Sequence, residues 1–293
     1  MKYKFFIYDS FTEKKFGGNQ AGIVLYSDGL TENKMKKIAA EFNFSEIAFI
    51  SESKNEKAFK KVRFFTPSEE VNLCGHATIA YVKCFIDEKI LILRDGVNKL
   101  LMETNLGLLE ILIEVENNIL KNIIMEQDEG KIENIDKKYY EKIMQAMNLT
   151  LDDLDEKIEI VKAYSGIYDL MIPLKLKDKI YEIKPNFDLI KTISKNLDII
   201  SFHPFYLDEE LSVAYVRNFA PIVNIDEEAA TGTSNGALAF YLHKIGKLKE
   251  NKILISIQGE NMNRKSEIKS KIQNKKIFVG GNAIKILDGN LEI

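Results

Sequence analysis

A segment that occurs twice constrains this chain more than any other feature. Val62-Arg63-Phe64-Phe65-Thr66-Pro67 leads through an acidic linker and a Gly turn into an apolar stretch that begins at Gly75. Val216-Arg217-Asn218-Phe219-Ala220-Pro221 leads through the same succession into a second stretch that begins at Gly232. The copies start 154 residues apart (216 minus 62), far too long a period for a solenoid and the right length for two similar halves of one molecule. Ala77, Ile79, Ala80, Val82, Cys84, Phe85 and Ile86 leave the first stretch no polar face, and a helix with no solvent side must be enclosed. The start of an enclosed helix presents unpaired backbone N–H groups and partial positive charge, which suit a carboxylate or an oxyanion. A glycine there lets a ligand approach the backbone. Two such starts are expected to address one shared cleft.

Length and composition narrow the function. The 293 residues fit one large domain or two of about 150, and a hydrophobic content of 45% supplies a substantial core. A net charge of −3 provides no basic field, which excludes a nucleic-acid binder. No run approaches the ~20 apolar residues of a membrane span. Met1-Lys2-Tyr3-Lys4-Phe5-Phe6-Ile7-Tyr8-Asp9 is too short in its apolar part to be a signal peptide. Cys74 and Cys84, on one helix, would lie about 15 Å apart, too far for a disulfide. A reduced, cytoplasmic protein is the expectation. Two Cys and the scattered His76, His203 and His243 give no recognised zinc spacing, so no metal is expected.

Taken in order, Tyr3 to Phe11 reads as a strand. Phe16-Gly17-Gly18-Asn19-Gln20-Ala21-Gly22 is a turn without the spacing of a dinucleotide fingerprint or a phosphate loop. Thr31 caps a helix whose stripe is Met35, Ile38, Ala39 and Phe42. Glu46 then stands at a helix-to-strand junction ahead of Ile47-Ala48-Phe49-Ile50, as a surface turn residue or a buried acid suited to proton transfer. Leu100 to Thr104 and Leu108 to Val115 form a hairpin, and polar Glu116-Asn117-Asn118 marks the domain change. Expected domains are therefore 1–117 and 118–282, with the last strand, 283–293, placed to complete the first. In the second half, strands are expected at 123–127, 159–164, 168–174 and 211–219, followed by the second buried helix and a closing meander.

Several stretches in a fixed order resemble the phenazine-biosynthesis PhzF-like isomerases of the diaminopimelate-epimerase fold superfamily. They are Phe16-Gly17-Gly18-Asn19, Phe44-Ser45-Glu46-Ile47-Ala48-Phe49, Arg63-Phe64-Phe65-Thr66-Pro67, Cys74-Gly75-His76-Ala77-Thr78, Ala230-Thr231-Gly232-Thr233-Ser234 and Val279-Gly280-Gly281. The resemblance implies an α+β fold of two pseudo-symmetric domains, each a curved, mostly antiparallel, barrel-like sheet around a central helix, with the site in the cleft between them. It implies a homodimer, no cofactor and a small carboxylic acid as substrate. Carried over, the roles make Glu46 the acid/base, with His76, Glu228 and Thr233 beside it in the chemistry. Asn19, Ser45 and the backbone N–H groups of Gly75 and Gly232 would hold the substrate. The family's Asp-Pro-Ala-Thr-Gly-Ser falls on Glu228-Ala229-Ala230-Thr231-Gly232-Thr233, where Glu replaces Asp, Thr replaces Ser and the Pro is absent. Its late Gly-Arg-Pro-Ser becomes Asn263-Arg264-Lys265-Ser266.

Carbon-to-carbon proton transfer needs a base and donors for a developing enolate-like oxygen, which Glu46, His76 and the helix starts can supply. Superfamily epimerases instead pair one thiol from each half; here Cys74 holds the first position and Thr231 the second, and threonine cannot act as a thiolate. A non-catalytic small-acid binding protein on the same fold is the reading from another class. His203 and His243 are expected to be structural.

Overall fold

The computed structural model describes residues 1–293 in two compact units, 1–125 with 280–293 and 126–279. In chain order the elements are β1 (Lys2–Ser10), β2 (Asn19–Leu25), α1 (Glu32–Phe42), β3 (Ile47–Ser51), β4 (Lys60–Phe65), β5 (Glu70–Val71), α2 (Gly75–Asp87), β6 (Gly96–Thr104), β7 (Gly107–Glu116) and β8 (Ile119–Glu126). There follow β9 (Lys131–Asn134), α3 (Tyr140–Ala146), β10 (Val161–Tyr164), β11 (Tyr168–Pro173), α4 (Lys177–Glu182), α5 (Phe187–Leu197), β12 (Ser201–Asp208) and β13 (Val213–Val216). The chain ends with α6 (Gly232–Lys244), β14 (Leu254–Gln258), β15 (Ser266–Gln273), β16 (Lys276–Gly281) and β17 (Ala283–Glu292). No helix is long and apolar enough to cross a membrane.

Both units follow one strand plan. In the first, β1 pairs antiparallel with β17 and β2, β2 runs parallel to β3, β3 antiparallel to β4, β4 parallel to β6, and β6 antiparallel to β7. In the second, β10–β11, β12–β13 and β14–β15 are antiparallel, while β11–β12 and β13–β14 are parallel. A parallel pair cannot be closed by a tight hairpin and needs a crossover. The helices are these crossovers: α1 joins β2 to β3, α4 and α5 join β11 to β12, α2 joins β4 to β6, and α6 joins β13 to β14. Within its unit α2 packs on β1, β2, β3 and β17, and α6 on β10, β11 and β15, so in each unit a curved sheet wraps an apolar helix.

The helices are as enclosed as their sequences demand. In α2 every residue from His76 to Val82, with Cys84 and Phe85, is buried, and in α6 every residue from Ser234 to Leu242. Neither N-cap residue, Cys74 or Thr231, caps its helix through its side chain. That omission costs each helix about 1 kcal/mol, whereas burying Ile79, Val82 and Phe85 alone returns about 1.5–3 kcal/mol apiece. Packing therefore outweighs the missing caps and leaves the first turn's N–H groups for other partners.

The repeated Val-Arg-x-Phe-x-Pro segments end in matching contacts. Arg63 donates from Nε and Nη2 to the two carboxylate oxygens of Glu70, both at 2.6 Å, and lies 5.0 Å from the centre of the Phe65 ring. Arg217 donates from the same two nitrogens to Glu227, both at 2.8 Å, and lies 4.8 Å from the centre of the Phe219 ring. Forked pairing suits the planar guanidinium, and the aromatic face adds a cation–π contact. The Arg63 guanidinium holds the Glu70 carboxyl below the usual carboxylate range. Arg217 is the more enclosed of the two arginines and also reaches the Ile183 carbonyl at 2.9 Å.

Asn117 and Asn118, where the sequence places the domain change, are a hairpin turn with φ of 53° and 60°. Consecutive left-handed residues match the twist of paired strands. The chain therefore returns as β8, antiparallel to β7, and the first unit runs on to 125 instead of 117; it resumes at 280 instead of 283. The strand expected at 123–127 is the end of β8. Finally, α5 and β12 were not anticipated, although Asn186 caps α5 through its side chain and Ile190 and Ile193 make its buried stripe.

Truncating one partner of a buried ion pair costs roughly 3–5 kcal/mol because the other charge is left unmatched. Arg217→Ala is expected to lower unfolding stability by about that much, and Arg63→Ala, at a wetter pair, by clearly less. Urea denaturation of the two variants checks this; equal losses would remove the distinction between the pairs.

Candidate active site

In the first unit the side chains singled out in the sequence gather around His76. Ser45 and Glu46 lie in the turn between α1 and β3, and Asn19 opens β2. Because β2 and β3 are parallel neighbours, with Gly22 opposite Ile47, they bring both groups to the start of α2. Glu46 Oε2 lies 3.2 Å from His76 Nε2, and Ser45 Oγ lies 3.3 Å from the same nitrogen. On the other side of the ring, Asn19 Nδ2 and Cys74 Sγ each lie 3.5 Å from Nδ1. The Ser10 hydroxyl donates to the His76 carbonyl at 2.7 Å and ties the first turn of α2 to the end of β1.

Burial lowers the His76 pKa; the Glu46 carboxylate and a hydrogen bond with the Gln20 backbone work against that shift. The imidazole is thus neutral at neutral pH, and its contact with Glu46 joins a carboxylate to a neutral donor–acceptor ring. Glu46 is half-buried, yet its Oε2 is sealed from solvent and has no aligned hydrogen-bond partner.

The turn that carries Asn19 is rigidly built. Gly18 has φ +62°, and a Cβ there would meet the Ser10 carbonyl at 2.1 Å, so only glycine fits. The Phe16 N–H donates to the buried Asp9 carboxylate at 2.8 Å, while the Phe16 ring stands exposed beside this turn.

Glu46, Cys74 and His76 offer three metal-ligand atoms within 4.8 Å of one another. The sulfur lies 3.5 Å from Nδ1 and 3.9 Å from Nε2. The same separations are those of a hydrogen-bonded acid–base set.

In the second unit, Glu228, Thr231, Gly232 and Thr233 lie where the chain enters α6. The Thr231 hydroxyl donates to Glu228 Oε2 at 2.9 Å. The Ser165 hydroxyl donates to the Thr233 carbonyl at 2.7 Å, the same restraint that Ser10 places on His76. Glu228, Gly232 and Thr233 are partly exposed, and Gly75 in the first unit is too. A residue that the sequence reading missed is Gln258, which is buried and bonds to both ends of this turn. Its signal was available, since it is a lone amide at the end of the apolar run Leu254-Ile255-Ser256-Ile257.

Below α6 lies a sealed polar cluster. The Ser201 hydroxyl donates to Asp169 Oδ1 at 2.6 Å, and Asn218 Nδ2 lies within 3.1 Å of Ser201 Oγ, Ser234 Oγ and His203 Nδ1. Burial pushes the Asp169 carboxyl up to about 7 and the His203 imidazole down to about 3. His243, the third histidine, bonds through Nδ1 to the Leu248 carbonyl past the end of α6.

Against known proteins, the sequence model of a family described as phenazine biosynthesis-like proteins, PhzC-PhzF, matches residues 8–289. An uncharacterized isomerase of Clostridium acetobutylicum is 36% identical, over 99% of this chain and 98% of that one. An uncharacterized isomerase of Escherichia coli K12 is 30% identical, over 97% of this chain and 96% of that one. A solved PhzF-family structure from Bacillus anthracis, 28% identical, superposes with a TM-score of 0.88 over 100% of both chains. A hydroxyproline epimerase from Agrobacterium vitis shares the fold at a TM-score of 0.66 and 9% identity, over 99% of this chain and 92% of that one.

The sealed cluster has a consequence for acid stability. Between about pH 4 and 6.5 the folded chain keeps a proton on Asp169 and none on His203, whereas the unfolded chain does the reverse. Each state then holds one proton on the pair, and the pair contributes no slope. In Asp169→Asn only His203 remains: unfolded it takes up a proton below about 6.5, folded it does not. Stability of this variant is expected to fall with acid about 1.4 kcal/mol per pH unit more steeply than in the parent. Denaturant midpoints measured from pH 7 to 4 test it, and parallel curves would refute the assigned protonation.

Proposed function

The chain belongs to the phenazine biosynthesis-like PhzC-PhzF family and is an isomerase, and from that premise we propose that it moves a proton between two carbons of a small carboxylic acid, with Glu46 as the acid/base. The observation that carries this reading is the Glu46–His76 contact of 3.2 Å at the uncapped start of a buried helix. The substrate's carboxylate is held by first-turn N–H groups, at Gly75 of α2 and Gly232 of α6, with Asn19 and Ser45 as side-chain partners. Glu46 takes a proton from the carbon next to an electron-withdrawing group. The electron pair left on that carbon shifts through the conjugated system, and negative charge collects on oxygen. His76, held neutral by burial, and the helix N–H groups stabilise that charge without adding a competing proton. Glu46 then returns the proton to the second carbon, so substrate and product are isomers and no external oxidant or reductant is consumed. Glu228 polarises a second group of the substrate, and the longer Glu in place of the family's Asp supports a substrate different from that of phenazine producers.

Proton exchange followed by NMR in deuterated water is the test. The parent protein, Glu46→Gln and Cys74→Ser are incubated with small carboxylic acids, amino acids and dihydro-hydroxyanthranilate. Exchange in the parent is expected to fall about 10²–10⁴-fold in Glu46→Gln and to stay within a few-fold in Cys74→Ser. Loss in Cys74→Ser would point to thiol-based epimerisation instead, and tight binding without exchange to a binding protein.

A further inference from the structure

The turn that presents Glu228 is tied at its N–H to the Asn218 carbonyl at 3.0 Å and at the Ala229 carbonyl to the Ser266 hydroxyl at 2.7 Å, and a buried amide bonds to both of its ends. Gln258 Nε2 donates to the Glu228 carbonyl at 2.7 Å and to Thr231 Oγ1 at 3.1 Å. Gln258 Oε1 accepts from the Thr231 N–H at 3.2 Å and from Asn235 Nδ2 at 2.9 Å. Both polar atoms of this one side chain are therefore used twice. The orientation of the amide follows from its partners: flipping it would set its NH₂ against two N–H donors and its oxygen against a carbonyl. Asn235 also donates to the Thr231 carbonyl at 2.9 Å, so Thr231 is fixed at its N–H, its carbonyl and its hydroxyl. The hydroxyl in turn donates to the Glu228 carboxylate at 2.9 Å. Gln258 itself is 1% exposed and cannot touch a substrate in the partly exposed part of the site.

In the first unit Thr78 Oγ1 donates to the Cys74 carbonyl at 2.8 Å, the counterpart of the bond from Asn235 to Thr231. In the second unit the support extends sideways, through Gln258, to the strand β14. Asn218, whose carbonyl accepts from the Glu228 N–H at 3.0 Å, continues inward to His203, Ser201 and the sealed Asp169 cluster.

We propose that Gln258 is a positioning residue of the isomerase: it acts through Thr231 to fix the Glu228 carboxylate, and Asn235 orients it. The proposal rests on the functional reading above for the word isomerase, but not for the geometry. Loss of the amide frees the turn, and a carboxylate displaced by an ångström is enough to lower turnover severely.

The test compares Gln258→Leu, Gln258→Glu and a control, Ile193→Val, which removes a methylene from the buried face of α5. Amide hydrogen exchange of peptides covering 228–235 is read by mass spectrometry, beside deuterium incorporation into whichever compound the parent turns over. Gln258→Leu is expected to speed exchange in 228–235 about tenfold or more and to lower kcat by a similar factor, with a smaller change in KM. In Gln258→Glu the introduced carboxyl can donate only when protonated, so protection and kcat should recover as pH falls, a step that the parent lacks. Unchanged exchange in 228–235 for Gln258→Leu would overturn the proposal. So would the same loosening in Ile193→Val, or a Gln258→Glu profile without the acid recovery in protection. Absence of turnover in the parent would count against the isomerase reading alone, because the exchange measurement still decides whether Gln258 holds the turn.

Discussion

The enclosure of two helices that have no polar face is the constraint on which the other features depend. Because α2 and α6 must be surrounded, each is a crossover between parallel strands, and each first turn ends inside the protein. Enclosure makes the imidazole of His76 neutral and leaves the helix starts without side-chain caps. A surface helix would have water for its first N–H groups and an ordinary histidine. The same apolar packing that makes the fold stable thus creates the electrostatic setting of the candidate site.

Duplication supplied the scaffold, and divergence separated the chemistry. The restraint of Ser10 on His76 matches that of Ser165 on Thr233, and Thr78 on Cys74 matches Asn235 on Thr231. The offsets agree: 233 minus 76, 235 minus 78 and 231 minus 74 are all 157. At these equivalent positions the first unit carries Cys74 and His76 and the second Thr231 and Thr233. In the second unit Asp169 and His203 are sealed beneath the helix, and Glu228 at the turn is a partly exposed ionisable group.

The sequence revealed what local pattern encodes. Apolar periodicity located the central helices, and the paired Val-Arg-x-Phe-x-Pro segments disclosed the twofold plan. It did not reveal features decided by distant pairing. Asn117-Asn118 reads equally well as a linker or as a left-handed turn, and only the pairing of β7 with β8 selects the turn. The capped stripe of α5 is a local pattern, but the lysines and Pro185 around it mask it. Ser45, Glu46 and Asn19 could be named from motif resemblance, yet their approach to His76 depends on the parallel β2–β3 register across more than twenty residues of chain. Gln258 stood in no motif at all, and its importance lies in four bonds that only the folded turn assembles.

These two kinds of support differ in how they tolerate change. The Glu46–His76 pair is a contact between side chains at 3.2 Å with Glu46 Oε2 otherwise unbonded, so it can rearrange as a proton arrives or leaves. The Glu228 turn is the opposite, with the Glu228 N–H and carbonyl, the Thr231 N–H and the Thr231 hydroxyl all bonded. A reaction that shuttles a proton needs one group able to change its bonding partners and others that do not move while charge shifts. In the reaction proposed above the loose contact is at the base and the tighter network is at the Glu228 turn, which meets both demands.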